Sequence, residues 1–174
     1  LVYKMTGSPL ILGVVSFSSS LPALTLSLWA GVVVDRVPKR LLLVVTQTME
    51  AILAMLLALD VFLGWVQPWH IIIFAILLGI FNTFDAPARQ AFVIEMVGRA
   101  DLTNAVALNS ATFQMGRIIG PSAAGILLAL VGPAWCFLLN GISFFAVIAA
   151  LLMMKVEDKV APQKKESAVT QLRA

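Results

Sequence analysis

Charge is scarce in this chain, and so are the residues on which a soluble catalyst relies. Only 12% of the 174 residues are Asp, Glu, Lys or Arg, about half the share of an ordinary soluble domain. The single cysteine, Cys136, excludes any disulfide within the chain. The single histidine, His70, excludes every motif that needs two. With so few ligating groups and no nucleophile beside a base, no metal site, cofactor or catalytic residue is expected, and the chain is read as a non-enzyme. Strand-type alternation is also missing, which argues against a membrane β-barrel. What is abundant is apolar: 60% of the residues are hydrophobic and the mean hydropathy is +0.98. That excess excludes a disordered chain and makes a water-soluble enzyme domain a poor fit. The chain starts at Leu1 rather than at an initiator, so it is read as an internal piece of a longer protein.

A bilayer core about 30 Å thick takes roughly 20 apolar residues as a helix. Five runs meet that length, at about 9–34, 41–63, 68–87, 104–131 and 133–154. Apolar residues occupy nearly every helical face, as in spanning rather than surface helices. The expected fold is therefore all-α: a polytopic transmembrane bundle of five spans over residues 1–156. A charged tail follows over 157–174, read as a cytoplasmic linker. The first run lacks a basic start and is followed by four more, so it is not a signal peptide.

The connections set the orientation. One holds Asp35, Arg36, Lys39 and Arg40; a second holds Arg89, Arg99 and Asp101; the tail holds Lys155, Lys159, Lys164, Lys165 and Arg173. If each run crosses once, these share one side and carry ten of the twelve Lys and Arg residues. By the positive-inside rule that side is cytoplasmic, which leaves residue 1 outside and the tail inside. Trp65, Trp69 and Trp135 then fall at outer ends, where indoles favour the headgroup zone. His70, beside Trp69, is read as an interfacial structural residue.

Three constellations stand out. Gly31-x-x-x-Asp35-Arg36-x-Pro38-Lys39-Arg40 forms a short turn that holds two helices antiparallel. Gly31 permits close backbone approach, Asp35 can cap a helix start, and the bases can pair with carboxylates on neighbouring helices. Second, Gly116 and Gly120 form a small-xxx-small pair, extended by Gly125, while Pro121 should kink the span. Third, Asp85 closes a span on the side of Arg36, Lys39 and Arg40, where an ion pair with that turn is feasible. The plainer alternatives are a basic turn and a kinked packing helix.

Together these residues resemble the major facilitator superfamily, in particular the branch of enterobactin exporters and macrolide efflux proteins. The first turn resembles the signature loop between the second and third spans, with Pro38 where the family usually has glycine. The resemblance implies that Gly31, Asp35, Arg36, Lys39, Arg40 and Asp85 form a cytoplasmic gate. Gly116, Gly120, Pro121 and Gly125 resemble the fifth-span motif of proton-exchanging exporters, with Ala124 replacing one family glycine. The five runs would then be the second to sixth spans, with the first span and the whole C-terminal half as missing partners. The family's usual arginine inside the fourth span is absent, because Arg89 is placed beyond the run that ends at 87.

Ionisable residues inside a bilayer are costly and are functional candidates. Glu50 lies nine residues into the second run, about 14 Å deep at 1.5 Å per residue. It is a candidate proton site, or else a carboxylic acid bonded to Gln47 or a neighbouring helix. Asp60 is expected to reach water. Arg117 lies mid-span and needs a partner or a wet cavity. Asn109, Phe113, Arg117 and Gly120 share one helical stripe, the candidate transport path. Asn140 and Ser143 are expected to bond between helices, and Pro22 to bend the first run.

The resulting reading is a secondary transporter in the bacterial inner membrane, exporting small amphipathic molecules in exchange for protons by alternating access. Its partners are the bilayer, the substrate and protons, and no nucleic acid is expected. An uptake carrier of the same superfamily and a non-transporting membrane scaffold are the alternatives.

Overall fold

Long Leu, Ile, Val and Ala runs satisfy their backbone polar groups internally only as helices, and helices are what form. The computed structural model describes residues 2–97 and 101–154. It contains α1 (Val2–Thr6), α2 (Pro9–Arg36), α3 (Lys39–Phe62), α4 (Pro68–Val97) and α5 (Leu102–Met153). The last four are long and apolar enough to cross a bilayer. The tail over 157–174, with Arg99 and the cations from Lys155 onward, lies outside the described residues.

Four long helices replace the five expected. The runs 104–131 and 133–154 belong to one element of 52 residues, interrupted only at Gly132 (φ 82°, ψ 174°). That left-handed φ suits glycine, and Pro133 is preset to resume the helix, so the chain bends without inserting a loop. A straight 52-residue helix would reach about 78 Å, more than twice the thickness of a bilayer core. The bend instead lays the second half of α5 antiparallel along α3. Trp135 meets Phe62 edge-on with ring centroids 5.4 Å apart, Gly141 sits against Met55, and Arg40 reaches Leu151 and Leu152.

The third run also differs from expectation, because α4 continues ten residues past Pro87 to Val97. Proline removes one backbone donor, but the residues beyond it have packing to hold them. Ala88 and Phe92 are buried with Val34, Leu43 and Leu151 in a small apolar core that joins all four long helices at one end. Pro22 likewise lies inside α2.

Helix α4 packs against α2 through Gly79. A methyl group there would overlap the Ser19 carbonyl oxygen and stand 3.2 Å from Pro22 Cγ. Gly141 plays the same part between α5 and α3, with Met55 Cγ 2.9 Å from where its Cβ would be. Helix α3 is the centre of the bundle and has buried residues along its length. The first half of α5 has none.

Candidate functional site

Asp85 anchors the polar interior. It is 6% exposed, on the face of α4 that packs against α3. Its Oδ1 accepts hydrogen bonds from Thr46 Oγ1 at 3.1 Å and Gln47 Nε2 at 2.9 Å. Its Oδ2 accepts from Arg89, at 2.7 Å from Nη2 and 3.3 Å from Nε. The expected ion pair between Asp85 and the basic turn is therefore not made. Asp85 lies level with Thr46, seven residues beyond Lys39 and so about 10 Å along the helix, out of that turn's reach. Because α4 continues through Pro87, Arg89 follows one turn later on the same face and takes the role.

At the turn itself, Lys39 is 5% exposed and pairs with Glu95 on α4 at 3.1 Å. Arg40 donates to the carbonyl oxygens of Leu151 and Leu152 at 2.7 and 2.6 Å, which satisfies the otherwise unpaired C-terminal carbonyls of α5. Asp35 and Arg36 are exposed in the last turn of α2. The helix start after them is Pro38, with no side-chain cap, so Asp35 does not cap α3. Gly31 lines a groove of about 610 Å³ between α2 and α4, yet a Cβ there would meet nothing within 4 Å. The close backbone approach expected at Gly31 occurs instead at Gly79, where two helices actually cross.

Glu50 is 6% exposed, and its Oε1 has no hydrogen-bond partner among the described residues. The alternative of a bond to Gln47 is not realised, and the Gln47 amide nitrogen donates to Asp85 instead. Glu50 instead borders a cavity of about 710 Å³ enclosed by α3, α4 and both halves of α5. Helix α4 contributes Asn82, Asp85, Arg89 and Gln90 to its wall. The first half of α5 contributes Asn109, Ser110, Phe113, Gln114 and Arg117, and the second half Phe144. Glu50 and the stripe residues Asn109, Phe113 and Arg117, read apart from each other in the sequence, thus border one space. Gly120, placed on the same stripe, does not.

The glycine–proline segment stands apart. Gly116, Gly120, Pro121 and Gly125 are exposed, and a Cβ at any of the three glycines would meet nothing within 4 Å. The backbone keeps helical angles at Pro121, and the break comes later, at Gly132. A small-residue face packs only where a partner helix is offered, and the described residues offer none on that side. Ser143 also bonds within its own helix, to the Asn140 carbonyl, because an exposed hydroxyl reaches its own preceding turn more readily than another helix.

The opposite end of α3 carries a second polar contact. His70 Nδ1 lies 2.8 Å from Asp60 Oδ2, and Trp69 stacks edge-on against the imidazole at 3.9 Å. Asp60 therefore binds His70, which the short connection between α3 and α4 brings alongside, rather than simply reaching water. Among the described residues, no group of three His, Cys, Asp or Glu side chains could hold a metal ion.

Sequence reasoning missed the partnership of Thr46 and Gln47 with Asp85, and it missed Gln90, Gln114 and Phe144. The i, i+4 spacing of Asp85 and Arg89 was a usable signal, hidden by taking Pro87 as a helix end.

The sequence matches the transmembrane secretion effector family of the major facilitator superfamily over residues 1–174. The staphyloferrin A transporter of Staphylococcus aureus is 35% identical over 150 residues, covering 86% of this chain and 37% of that protein. The multidrug efflux pump Tap of Mycolicibacterium fortuitum is 27% identical over 169 residues, covering 94% of the chain and 41% of the pump. The enterobactin exporter EntS of Salmonella choleraesuis is 34% identical over 89 residues, covering 51% of the chain and 21% of the exporter. The chain thus spans about two fifths of the length of the first two relatives. No solved structure matches it.

Proposed function

Because the chain belongs to the transmembrane secretion effector family of the major facilitator superfamily, a family of transporters rather than enzymes, we propose that it forms part of an exporter of small amphipathic molecules. It is a multi-pass membrane protein related to bacterial siderophore and drug transporters. The proposed mechanism is alternating access, with the substrate bound near the bilayer midplane and protons exchanged against it. No bond in the substrate is made or broken.

The observation that carries this reading is the cavity. A space lined by Glu50, Asn109, Phe113 and Arg117 interrupts helices that are otherwise apolar, and polar groups at that depth are expensive unless they line a path. Glu50, buried and with its Oε1 unbonded among the described residues, is the proposed proton-exchanging group. Phe113 and Phe144 supply apolar wall for an amphipathic guest.

The turn is proposed to be the cytoplasmic gate. Lys39 and Arg40 join α3 to α4 and α5 at one end, while Asp35 and Arg36 stay exposed for contacts with other helices. Gly31 and Asp85 flank this region, and Gly116, Gly120, Pro121 and Gly125 are proposed as the flexible packing face of the exporter. The orientation proposed is that of a bacterial inner-membrane protein with the Lys39 end cytoplasmic and the Trp135 end outside.

The test is efflux from energised cells expressing the complete reading frame, loaded with a fluorescent amphipathic drug. Export is expected to stop on adding an uncoupler and to fall at least tenfold in Glu50→Gln. Export that persists without a proton gradient would remove the coupling, and retention equal to that of an empty vector would remove the export reading.

A further inference from the structure

Among the described residues, Arg89, Lys39 and Arg40 have partners within the bundle, Arg36 is exposed at the end of α2, and Arg117 stands apart from both. Arg89 is held by Asp85 at 2.7 Å, Lys39 by Glu95 at 3.1 Å, and Arg40 spans two carbonyl oxygens. Arg117 lines the cavity and forms no ion pair among the described residues. A guanidinium keeps its proton at any physiological pH, so its charge stays in the apolar region and calls for an anion or water.

Its surroundings select between those two. Gln114 and Asn109 lie three and eight residues before it on the same side of α5, and both border the same cavity. They are neutral donors that can bind oxygen without cancelling the positive charge. Phe113 lies one turn away, and Phe144 faces the space from the second half of α5. Of the acids on the facing helices, Asp85 is neutralised by Arg89 and Glu50 is buried with no ion pair. In the proton-loaded form of Glu50 the cavity therefore offers one uncompensated positive charge among the described residues, with adjoining amide donors and two aromatic walls.

We infer that Arg117, with Gln114 and Asn109, forms a subsite for the carboxylate of an organic acid whose apolar body lies against Phe113 and Phe144. The inference rests on reading the cavity as part of the transport path. The fork of a guanidinium pairs with both oxygens of a carboxylate, which a point charge cannot reproduce. A neutral amide of the same shape offers no charge and binds more weakly.

The experiment uses the protein from its complete reading frame, purified into lipid nanodiscs and titrated with 2-naphthoate and 2-naphthamide. These share a ring and differ in charge. Naphthoate is expected to bind at least tenfold tighter. Arg117→Gln is expected to abolish that preference, and Arg117→Lys to keep only part of it. Equal affinity of the unaltered protein for both compounds overturns the inference, as does a preference that survives Arg117→Gln.

A second measurement leaves Arg117 intact. Ser110→Cys in a background free of other cysteines is labelled with a neutral maleimide. Naphthoate is expected to slow labelling at position 110 at least threefold while naphthamide does not, and equal effects of the two overturn the subsite. Binding in nanodiscs needs no gradient, so this result and the efflux result can fail independently. Charge preference without export would defeat the export reading alone. Export without charge preference would defeat the subsite alone.

Discussion

Ten of the 24 residues of α3 are buried, whereas α5 buries two of its 52, Gly141 and Leu151, both beyond Gly132. The two helices are similarly apolar, so hydropathy does not explain the difference. What separates them is where the polar residues sit. Helix α3 places Thr46, Gln47 and Glu50 inside the bundle, with α4 and the second half of α5 closing over them. The first half of α5 faces outward with Leu108 71%, Ile118 75% and Leu130 77% exposed, and turns Asn109, Ser110, Phe113, Gln114 and Arg117 toward the cavity. In a bilayer, apolar side chains are as comfortable against lipid as against protein, so buried polar groups and small residues decide which faces meet.

Removing the strongest polar tie should test that contrast most severely. Asp85→Ala strands Gln47 and Arg89 together, while the Thr46 hydroxyl keeps the Leu43 carbonyl at 3.1 Å. Arg89 is half exposed to the cavity and can recruit water, so the loss falls mainly on Gln47 and on the tie between α3 and α4. A destabilisation of about 2–4 kcal/mol is expected, measured by thermal unfolding of the intact protein in detergent. A change below about 0.5 kcal/mol would mean that this network does not hold α3 to α4.

The next largest effect belongs to the small-residue crossings. Gly79→Ala would press a methyl group into the Ser19 carbonyl, and backbone cannot step aside as a side chain can. Overpacking of this kind costs about 1–3 kcal/mol. Gly141→Ala meets Met55 Cγ, a flexible thioether chain that can change rotamer, so the same assay should show less than about 1 kcal/mol. Equal losses at both sites would contradict the distinction between a rigid and a yielding neighbour.

The sequence disclosed the helices, the membrane and the family because each depends on many residues at once. It disclosed individual contacts unevenly. Glu50, Asn109 and Arg117 were legible because polar residues in apolar runs stand out one by one, Phe113 came with the stripe of Asn109 and Arg117, and the fold then brings all four to one cavity. The partner of Asp85 was not legible, since it turned on whether α4 survives Pro87, and that was settled by Ala88 and Phe92 packing against other helices. Gly31, Gly116, Gly120 and Gly125 looked like packing sites by spacing, but contact also needs a facing helix. Gly79, which has one, sits in the small-residue series Ala75, Gly79 and Thr83, all buried, a signal that was passed over, whereas Gly141 has Phe137 and Phe145 four positions away and gave none. The break between the last two runs was placed at the right position. Gly132 makes it as a kink between two helical halves, without the loop that would part them into separate elements.

The smallest expected effect comes from the outward face of α5. Leu57 is 5% exposed in α3 and Ile118 is 75% exposed in α5, so Leu57→Ala and Ile118→Ala form a matched pair. Truncating Leu57 leaves a gap that neighbouring helices fill only in part, and a loss of about 1–2 kcal/mol is expected from the lost packing. Truncating Ile118 leaves no gap if lipid chains cover it, because they flow into the vacated space, and the change should stay within about 0.5 kcal/mol. The pair therefore reads what lies against α5 in the intact protein. An Ile118→Ala loss equal to that of Leu57→Ala would place protein there instead of lipid, and the contrast between the two helices would then reflect the extent of this chain rather than the chemistry of their faces.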